Sequence, residues 1–270
     1  MTPPNDLVIF TDLDGTLLSH HDYSFFQALP ILNKINRLGI PLILNSSKTL
    51  SELLEIRVSL NNHHPLVVEN GTAIFIPKNY FSGYTQTLNQ ISLGAQRNHI
   101  LQVLNRIRQS GGYSFVTFND LSIEQLADKT GLSLGQAEKA KERTGTEPIE
   151  WLDSETKLND FTRRIESEGL KLIKGGRFFH VMGQTDKAKA FDWLVNQYKT
   201  IKRSPITTIA LGDSQNDKAM LERADIAVVV RPHQGNHMHL NKSGGEVIYT
   251  EHAAPQGWHD AMETLLNRIL

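Results

Sequence analysis

Leu7-Val8-Ile9-Phe10-Thr11-Asp12-Leu13-Asp14-Gly15-Thr16 is the stretch whose reading decides the fold. Leu7 to Phe10 run apolar without a polar break, which suits a short strand buried on both faces of a parallel sheet. Asp12 then stands at the strand's carboxyl end, the edge at which open α/β sheets bind ligands. Asp14 follows in a turn that Gly15 lets fold tightly, and Thr16 offers a hydroxyl and an amide able to cap or to hold an anion. Two carboxylates this close repel each other, and a bound cation is the simplest way to keep both ionised. Alone, the stretch also fits a plain strand and an Asp-Gly turn.

The pattern repeats outward from it. Tyr23 to Leu38 carries a helical apolar stripe interrupted by Pro30 and stopped at Gly39, and Ile40 to Leu44 is a second buried strand. Leu50 to Leu60 reads as a helix capped by Thr49 or Ser51. Pro65 to Glu69 is a third strand, and the Asn70-Gly71 turn gives it a hairpin partner over Thr72 to Ile76. Strand, helix, strand, helix, strand is the order of a doubly wound parallel sheet. From about Tyr84 to Gly183 the order turns mixed α+β, and the parallel order then returns with a helix from Asp186 and the strand Thr207 to Leu211. The predicted fold is α/β: a doubly wound, Rossmann-like parallel-sheet core from residues 1–83 and 184–270, with an inserted α+β cap domain at 84–183.

Bulk properties exclude several functions. A formal net charge of -1 lacks the basic excess expected of a nucleic-acid or anionic-membrane partner. Absence of cysteine removes disulfides, thiol catalysis and thiolate metal sites. The first residues carry no basic region, and the apolar run behind them is too short for a secretion signal or a membrane span. The expectation is a cytoplasmic protein, monomer or homodimer, acting on a small molecule.

The strand Thr207 to Leu211 delivers Gly212-Asp213-Ser214-Gln215-Asn216-Asp217 to the same sheet edge as the first acidic turn. Asp12, Asp213 and a backbone carbonyl, that of Asp14, are hard oxygen ligands for a small octahedral cation, Mg²⁺ rather than zinc. Ser46, ending the second strand, places a hydroxyl and the amides of a helix start where a phosphate oxygen can be held; a simple cap is the plainer alternative. Lys187 opens a helix, where a cation is unfavourable against the dipole and wants an anionic neighbour. Asp186 or a phosphoryl-aspartate would serve, and Lys189 is the competing lysine.

With Asp12-Leu-Asp14-Gly-Thr16, Ser46, Lys187 and Gly212-Asp213-Ser-Gln-Asn216-Asp217 in this order, the sequence resembles the haloacid dehalogenase superfamily over its whole length. The insertion after the third strand resembles the Cof-like class with a large α/β cap, and Asn70-Gly71 looks like that class too. Ser46-Ser47-Lys48-Thr49, Arg143 with Glu147-Pro148, Gly175-Gly-Arg177-Phe-Phe-His180 and Asp186-Lys187-Ala-Lys-Ala are similar to the mannosyl-3-phosphoglycerate phosphatase family. The resemblance implies a Mg²⁺-dependent phosphatase with Asp12 as nucleophile and Asp14 as general acid and base. Ser46 and Lys187 would hold phosphoryl oxygens, while Asn216 and Asp217 would act from behind, orienting metal-bound water or Lys187. Substrate contacts would come from Ser47, Asn70, Arg177 and His180, with Arg177 suited to a carboxylate. A phosphomannomutase-like hexose phosphomutase and a non-catalytic phospho-ligand-binding protein are the alternatives.

Overall fold

A computed structural model describes residues 6–175, 178–202 and 205–270. Its strands are β1 (Leu7–Thr11), β2 (Leu42–Asn45), β3 (Leu66–Val68), β4 (Ala73–Pro77), β5 (Leu88–Ser92), β6 (Phe115–Thr117), β7 (Thr146–Trp151), β8 (Leu170–Lys174), β9 (Phe179–Gly183), β10 (Thr207–Gly212), β11 (Ile226–Arg231) and β12 (Glu246–Ala253). Its helices are α1 (Leu29–Arg37), α2 (Leu50–Ser59), α3 (Arg97–Gly111), α4 (Ile123–Thr130), α5 (Leu134–Lys141), α6 (Glu155–Ser167), α7 (Lys187–Ile201), α8 (Lys218–Arg223) and α9 (Gln256–Ile269).

The larger sheet has the order β12-β11-β10-β1-β2-β3-β4-β5, parallel from β12 to β3 and antiparallel beyond. β1 is inside it because its side chains feed two apolar layers. Leu7 and Ile9 pack with residues of α1, α2 and α9, while Val8 and Phe10 pack with residues of α7 and α8. An unbroken apolar run is what such two-sided burial requires, each large side chain contributing about 1.5–3 kcal/mol. From β1 the chain builds one half of the sheet through β2 and β3 and the other through β10, β11 and β12. The strand order therefore reverses between β1 and β10, and such a switch point opens a crevice at the carboxyl ends.

Two local expectations are corrected. Pro30 does not interrupt a helix but occupies the first turn of α1, where its missing N–H needs no partner. Leu88–Ser92, inside the segment expected to be inserted, pairs with β4 and extends the larger sheet.

The smaller sheet, β6-β7-β9-β8, is antiparallel throughout. Ile100 and Leu104 of α3 and Phe161 and Ile165 of α6 close it with Ile149 and Val181. The helix pair α4 and α5 has its own small cluster around Leu126 and Ala137, next to Phe118. The α/β fold expected from the sequence is thus the one observed. Arg177 lies outside the described residues. Among the described residues no helix is long and apolar enough to cross a membrane.

Candidate active site

β1 and β10 end side by side and set down two acidic turns. Gly15, at φ +83°, is what lets them touch: a Cβ there would lie 2.7 Å from Asp213 Oδ2. Thr16 Oγ1 donates to Asp213 Oδ1 at 2.8 Å and fixes that carboxylate. The end of β1 is pinned from the other side by Trp258, whose Nε1 donates to Thr11 Oγ1 at 3.0 Å. Asp12 is 5% exposed.

Carboxylate oxygens of Asp12, Asp213 and Asp217 lie within 4.8 Å of one another. Burial pushes the Asp213 carboxyl up to about 7, with Asp217 adding to the rise. Burial likewise holds Asp12 well above the usual carboxylate range; Lys187 opposes the shift and Asp217 and Asp213 reinforce it. Buried carboxyls that resist ionisation for want of countercharge are a donor set that suits a divalent cation. Asp12 and Asp213 have the oxygens to hold one, because Asp217 is otherwise engaged. Its Oδ1 accepts from Lys187 Nζ at 2.6 Å, and its Oδ2 accepts from the amides of Asp213 and Ser214 at 3.2 and 3.1 Å. The Asp14 side chain stands outside this acidic group.

Lys187 Nζ is also 2.5 Å from Asp12 Oδ1, with a side chain fully enclosed. Burial opposes its charge, but Asp12 and Asp217 outweigh burial and hold its pKa above the ordinary lysine value. Of the two lysines open from sequence, Lys187 is the one inside the crevice. Lys189 is exposed and reaches the Leu93 carbonyl at 3.5 Å. Asp186, offered as the anionic neighbour of Lys187, instead caps α7 by accepting the amide of Lys189 at 2.8 Å.

Ser46 is buried at the end of β2, its Oγ accepting from the amide of Lys48 at 3.2 Å. Thr49, not Ser51, caps α2, in a capping box with Glu52. The loop between them turns Lys48 toward Asp14, its Nζ 3.0 Å from Asp14 Oδ2. Asn70 Oδ1 accepts from Asn216 Nδ2 at 3.0 Å, so two residues chosen separately from sequence meet.

Glu69, Asn70 and Gly71 all adopt positive φ, at 48°, 59° and 87°. Non-glycine residues pay conformational energy there, about 1–2 kcal/mol each, so surrounding contacts must hold the turn. The amides of Glu69 and Asn70 donate to the carbonyls of Lys48 and Ser46 at 2.9 Å each. Gly71 is required by contact as well as by φ, since a Cβ would fall 2.1 Å from the Asp186 carbonyl at the head of α7. The Glu69 carboxylate, 1% exposed, crosses to the inserted segment. It accepts from the amides of Thr144, Gly145 and Thr146 at 2.8, 3.2 and 2.9 Å and from both threonine hydroxyls. Further ties run from Thr49 Oγ1 to the Lys139 carbonyl at 2.8 Å and from Arg143 Nη1 to the Ser47 carbonyl at 3.3 Å. Glu69→Ala would strand these buried donors, and it should lower stability by about 2–4 kcal/mol. It should also raise amide exchange in 144–146 in hydrogen-exchange measurements. An unchanged melting temperature with unchanged exchange would mean that Glu69 is not the tie.

His180 lies in β9 opposite Pro148 and Ile173. Burial pushes its pKa down to about 3, with Arg143 adding, and its enclosed Nδ1 has no hydrogen-bond partner among the described residues. It is a neutral imidazole within electrostatic reach of the Arg143 guanidinium.

This geometry can be compared with known proteins. A family model described as haloacid dehalogenase-like hydrolase matches residues 9–236. The chain belongs to the haloacid dehalogenase-like hydrolases. A relative from Persephonella marina named glucosyl-3-phosphoglycerate/mannosyl-3-phosphoglycerate phosphatase is 36% identical, over 97% of this chain and 98% of its own. One of the same name from Methanococcoides burtonii is 38% identical, over 97% of each chain. The crystal structure of a haloacid dehalogenase-like hydrolase from Bacteroides thetaiotaomicron shares the fold at TM-score 0.66 and 19% identity, covering 96% of this chain and 98% of that one. In this haloacid dehalogenase-like hydrolase two residues at the crevice were not singled out from sequence. Glu69 gives no signal, because a lone glutamate before Asn-Gly reads as the polar end of a strand. Lys48 lies in the Ser46-Ser47-Lys48-Thr49 loop, where a cation beside a hydroxyl expected to hold phosphate is the available clue.

Proposed function

We infer that the chain is a Mg²⁺-dependent phosphatase acting on the phosphomonoester of a small glycosyl-glycerate, of the glucosyl- or mannosyl-3-phosphoglycerate type. The observation that carries the chemistry is the buried Asp12 carboxylate set between Lys187, Asp213 and the Asp14 turn at the switch point of the sheet. The substrate class is supported by two relatives that share more than a third of their residues along nearly the full chain.

In this reading an Asp12 oxygen attacks phosphorus in line, and the bond to the ester oxygen breaks as Asp14 gives that oxygen its proton. Water then attacks the aspartyl-phosphate, Asp14 takes its proton, and inorganic phosphate leaves with Asp12 regenerated. Lys187 and the Ser46 hydroxyl hold phosphoryl oxygens, which is most of what phosphoryl transfer asks of a protein. Asp217 aims Lys187, and Asn216 braces Asn70. Asp12 and Asp213, with the Asp14 carbonyl, would hold Mg²⁺, which neutralises charge on the phosphoryl group when bound. The inserted segment is the cap that selects the rest of the substrate, with Ser47, Asn70, Arg177 and His180 as its contact candidates. Absence of cysteine supports a reducing, cytoplasmic setting.

A phosphate-release screen across phosphorylated metabolites with Mg²⁺ tests the reading. Glucosyl-3-phosphoglycerate should be among the best substrates; an isomeric sugar phosphate formed without phosphate release would replace it with a mutase. Chelation should abolish turnover reversibly.

The acidic cluster also predicts how the metal affects stability. Asp213 titrates near 7 when folded and near 4 when unfolded, so between these values the folded state binds more protons and stability falls as pH rises. With chelator present, the melting temperature should drop across that window. Mg²⁺ should restore it more at pH 8 than at pH 5, and an equal effect at both would count against Asp213 as a ligand.

A further inference from the structure

Lys48 is a cation that the proposed chemistry leaves unused. Its side chain is 14% exposed, with Nζ 3.0 Å from Asp14 Oδ2, 3.9 Å from Glu52 Oε1 and 4.9 Å from the centre of the Tyr23 ring. Burial opposes the ammonium, but Asp14 and Glu52 outweigh it and its pKa stands above the ordinary lysine value. An ammonium has three donors, and among the described residues Asp14 is its one carboxylate within hydrogen-bond distance, Glu52 being a longer ion pair. Lys187, the other buried cation in the crevice, already sits on two carboxylates.

Distance then restricts what Lys48 can meet. If Asp14 Oδ2, the oxygen that contacts Lys48 at 3.0 Å, hydrogen-bonds the leaving oxygen at about 2.8 Å, that oxygen is within roughly 6 Å of Lys48 Nζ. In a 3-phosphoglycerate ester the carboxyl carbon is three single bonds from the leaving oxygen, roughly 3.5–4 Å away. Its oxygens can therefore come within charge-assisted hydrogen-bond reach of Lys48 while the ester oxygen touches Asp14. A leaving group without that carboxylate offers Lys48 nothing to exchange for Asp14.

We propose that Lys48 is the residue that selects an acidic leaving group: it binds the carboxylate two carbons from the phosphate-bearing carbon and in doing so releases Asp14 to the ester oxygen. This rests on the substrate class inferred above, and it assigns to Lys48 the carboxylate contact expected of Arg177. No other bond is made or broken; one ion pair is exchanged for another, and the chemistry at phosphorus is unchanged.

The test compares two matched esters with the full-length enzyme and Mg²⁺: glucosyl-3-phosphoglycerate and the glucosylglycerol phosphate in which a hydroxymethyl group replaces the carboxylate. Wild type should favour the acid at least 30-fold in kcat/KM. In Lys48→Met that preference should collapse to within threefold, chiefly through a higher KM for the acid, and Lys48→Arg should recover most of it. Preference intact in Lys48→Met, or equal losses on both esters, would overturn the assignment and leave the substrate class standing. Wild type with no preference would overturn the assignment, and wild type releasing phosphate from neither ester would overturn the substrate class and the assignment with it. Thermal melts of both variants separate loss of fold from loss of selectivity.

Discussion

Replacing Asp12 with Asn should reduce phosphate release by roughly 10⁴-fold or more, the scale on which enzymes lose a covalent nucleophile. The amide keeps the shape of the carboxylate but cannot attack phosphorus. The fold should survive, because the change removes a buried charge that Asp213 and Asp217 repel and that burial disfavours. Lys187 keeps Asp217 as its partner. The measurement is single-turnover phosphate release beside a thermal melt. Steady turnover by the variant would refute Asp12 as nucleophile, and an unfolded variant would refute the claim that its charge is dispensable to the fold.

Lys187→Met should cost both activity and stability. Methionine approximates the lysine stem and removes the only ammonium within 3 Å of Asp12 and Asp217 among the described residues. Two enclosed carboxylates are then left facing each other. Deleting one partner of a buried ion pair costs about 3–5 kcal/mol, which for a chain of this size lowers the melting temperature by roughly 10 °C. Turnover should fall by about 10²–10³-fold for a lost phosphoryl contact, and further for the displaced nucleophile. The sign of the pH dependence follows from the shifts. Lys187, raised in the folded state, contributes its stability below the unfolded lysine pKa and loses it only as pH rises through the folded value, so it is constant from pH 5 to 8. Asp12, also raised, can shed its charge toward acid pH. The melting deficit of Lys187→Met should therefore shrink from pH 8 to pH 5; a deficit that grows toward acid would contradict this account of the cluster.

Much of this was legible in the chain itself. β1 could be read as central because only a strand covered on both faces tolerates four apolar residues in succession. The two acidic turns could be assigned to one edge because parallel strands with intervening helices all point the same way. A hydroxyl residue before the apolar run, Thr49 or Ser51, announced the start of α2 by a local rule of hydrogen bonding, and the capping box with Glu52 decides for Thr49. Where the rules were local, reading and structure agree to within a few residues. Leu88–Ser92 escaped because its five residues are too polar and too short to announce a strand, and it pairs only because β4 offers an edge.

Side-chain partnership is the part that stayed hidden. Lys187 and Lys189 are two apart in sequence, and nothing local says which faces the crevice; α7 packing on the sheet turns the first inward and leaves the second in solvent. Asp217 meets Lys187 across 30 residues, and Glu69 meets Thr144 across 75.

The sequence by itself determined the class of fold, the edge where chemistry gathers, and the residues of Asp12-Leu13-Asp14-Gly15-Thr16 and Gly212-Asp213 that bring carboxylates there. Periodicity, turn chemistry and strand length are short-range properties, and they are written in neighbouring residues. Of the two partners that the resemblance left open for Asp217, the tertiary structure pairs it with Lys187, and only the tertiary structure decided that Glu69 binds the inserted segment to the core and that Lys48 rests on Asp14. Those contacts depend on how α7, the Glu69–Gly71 turn and the β2–α2 loop pack in three dimensions, and no spacing along the chain encodes that geometry.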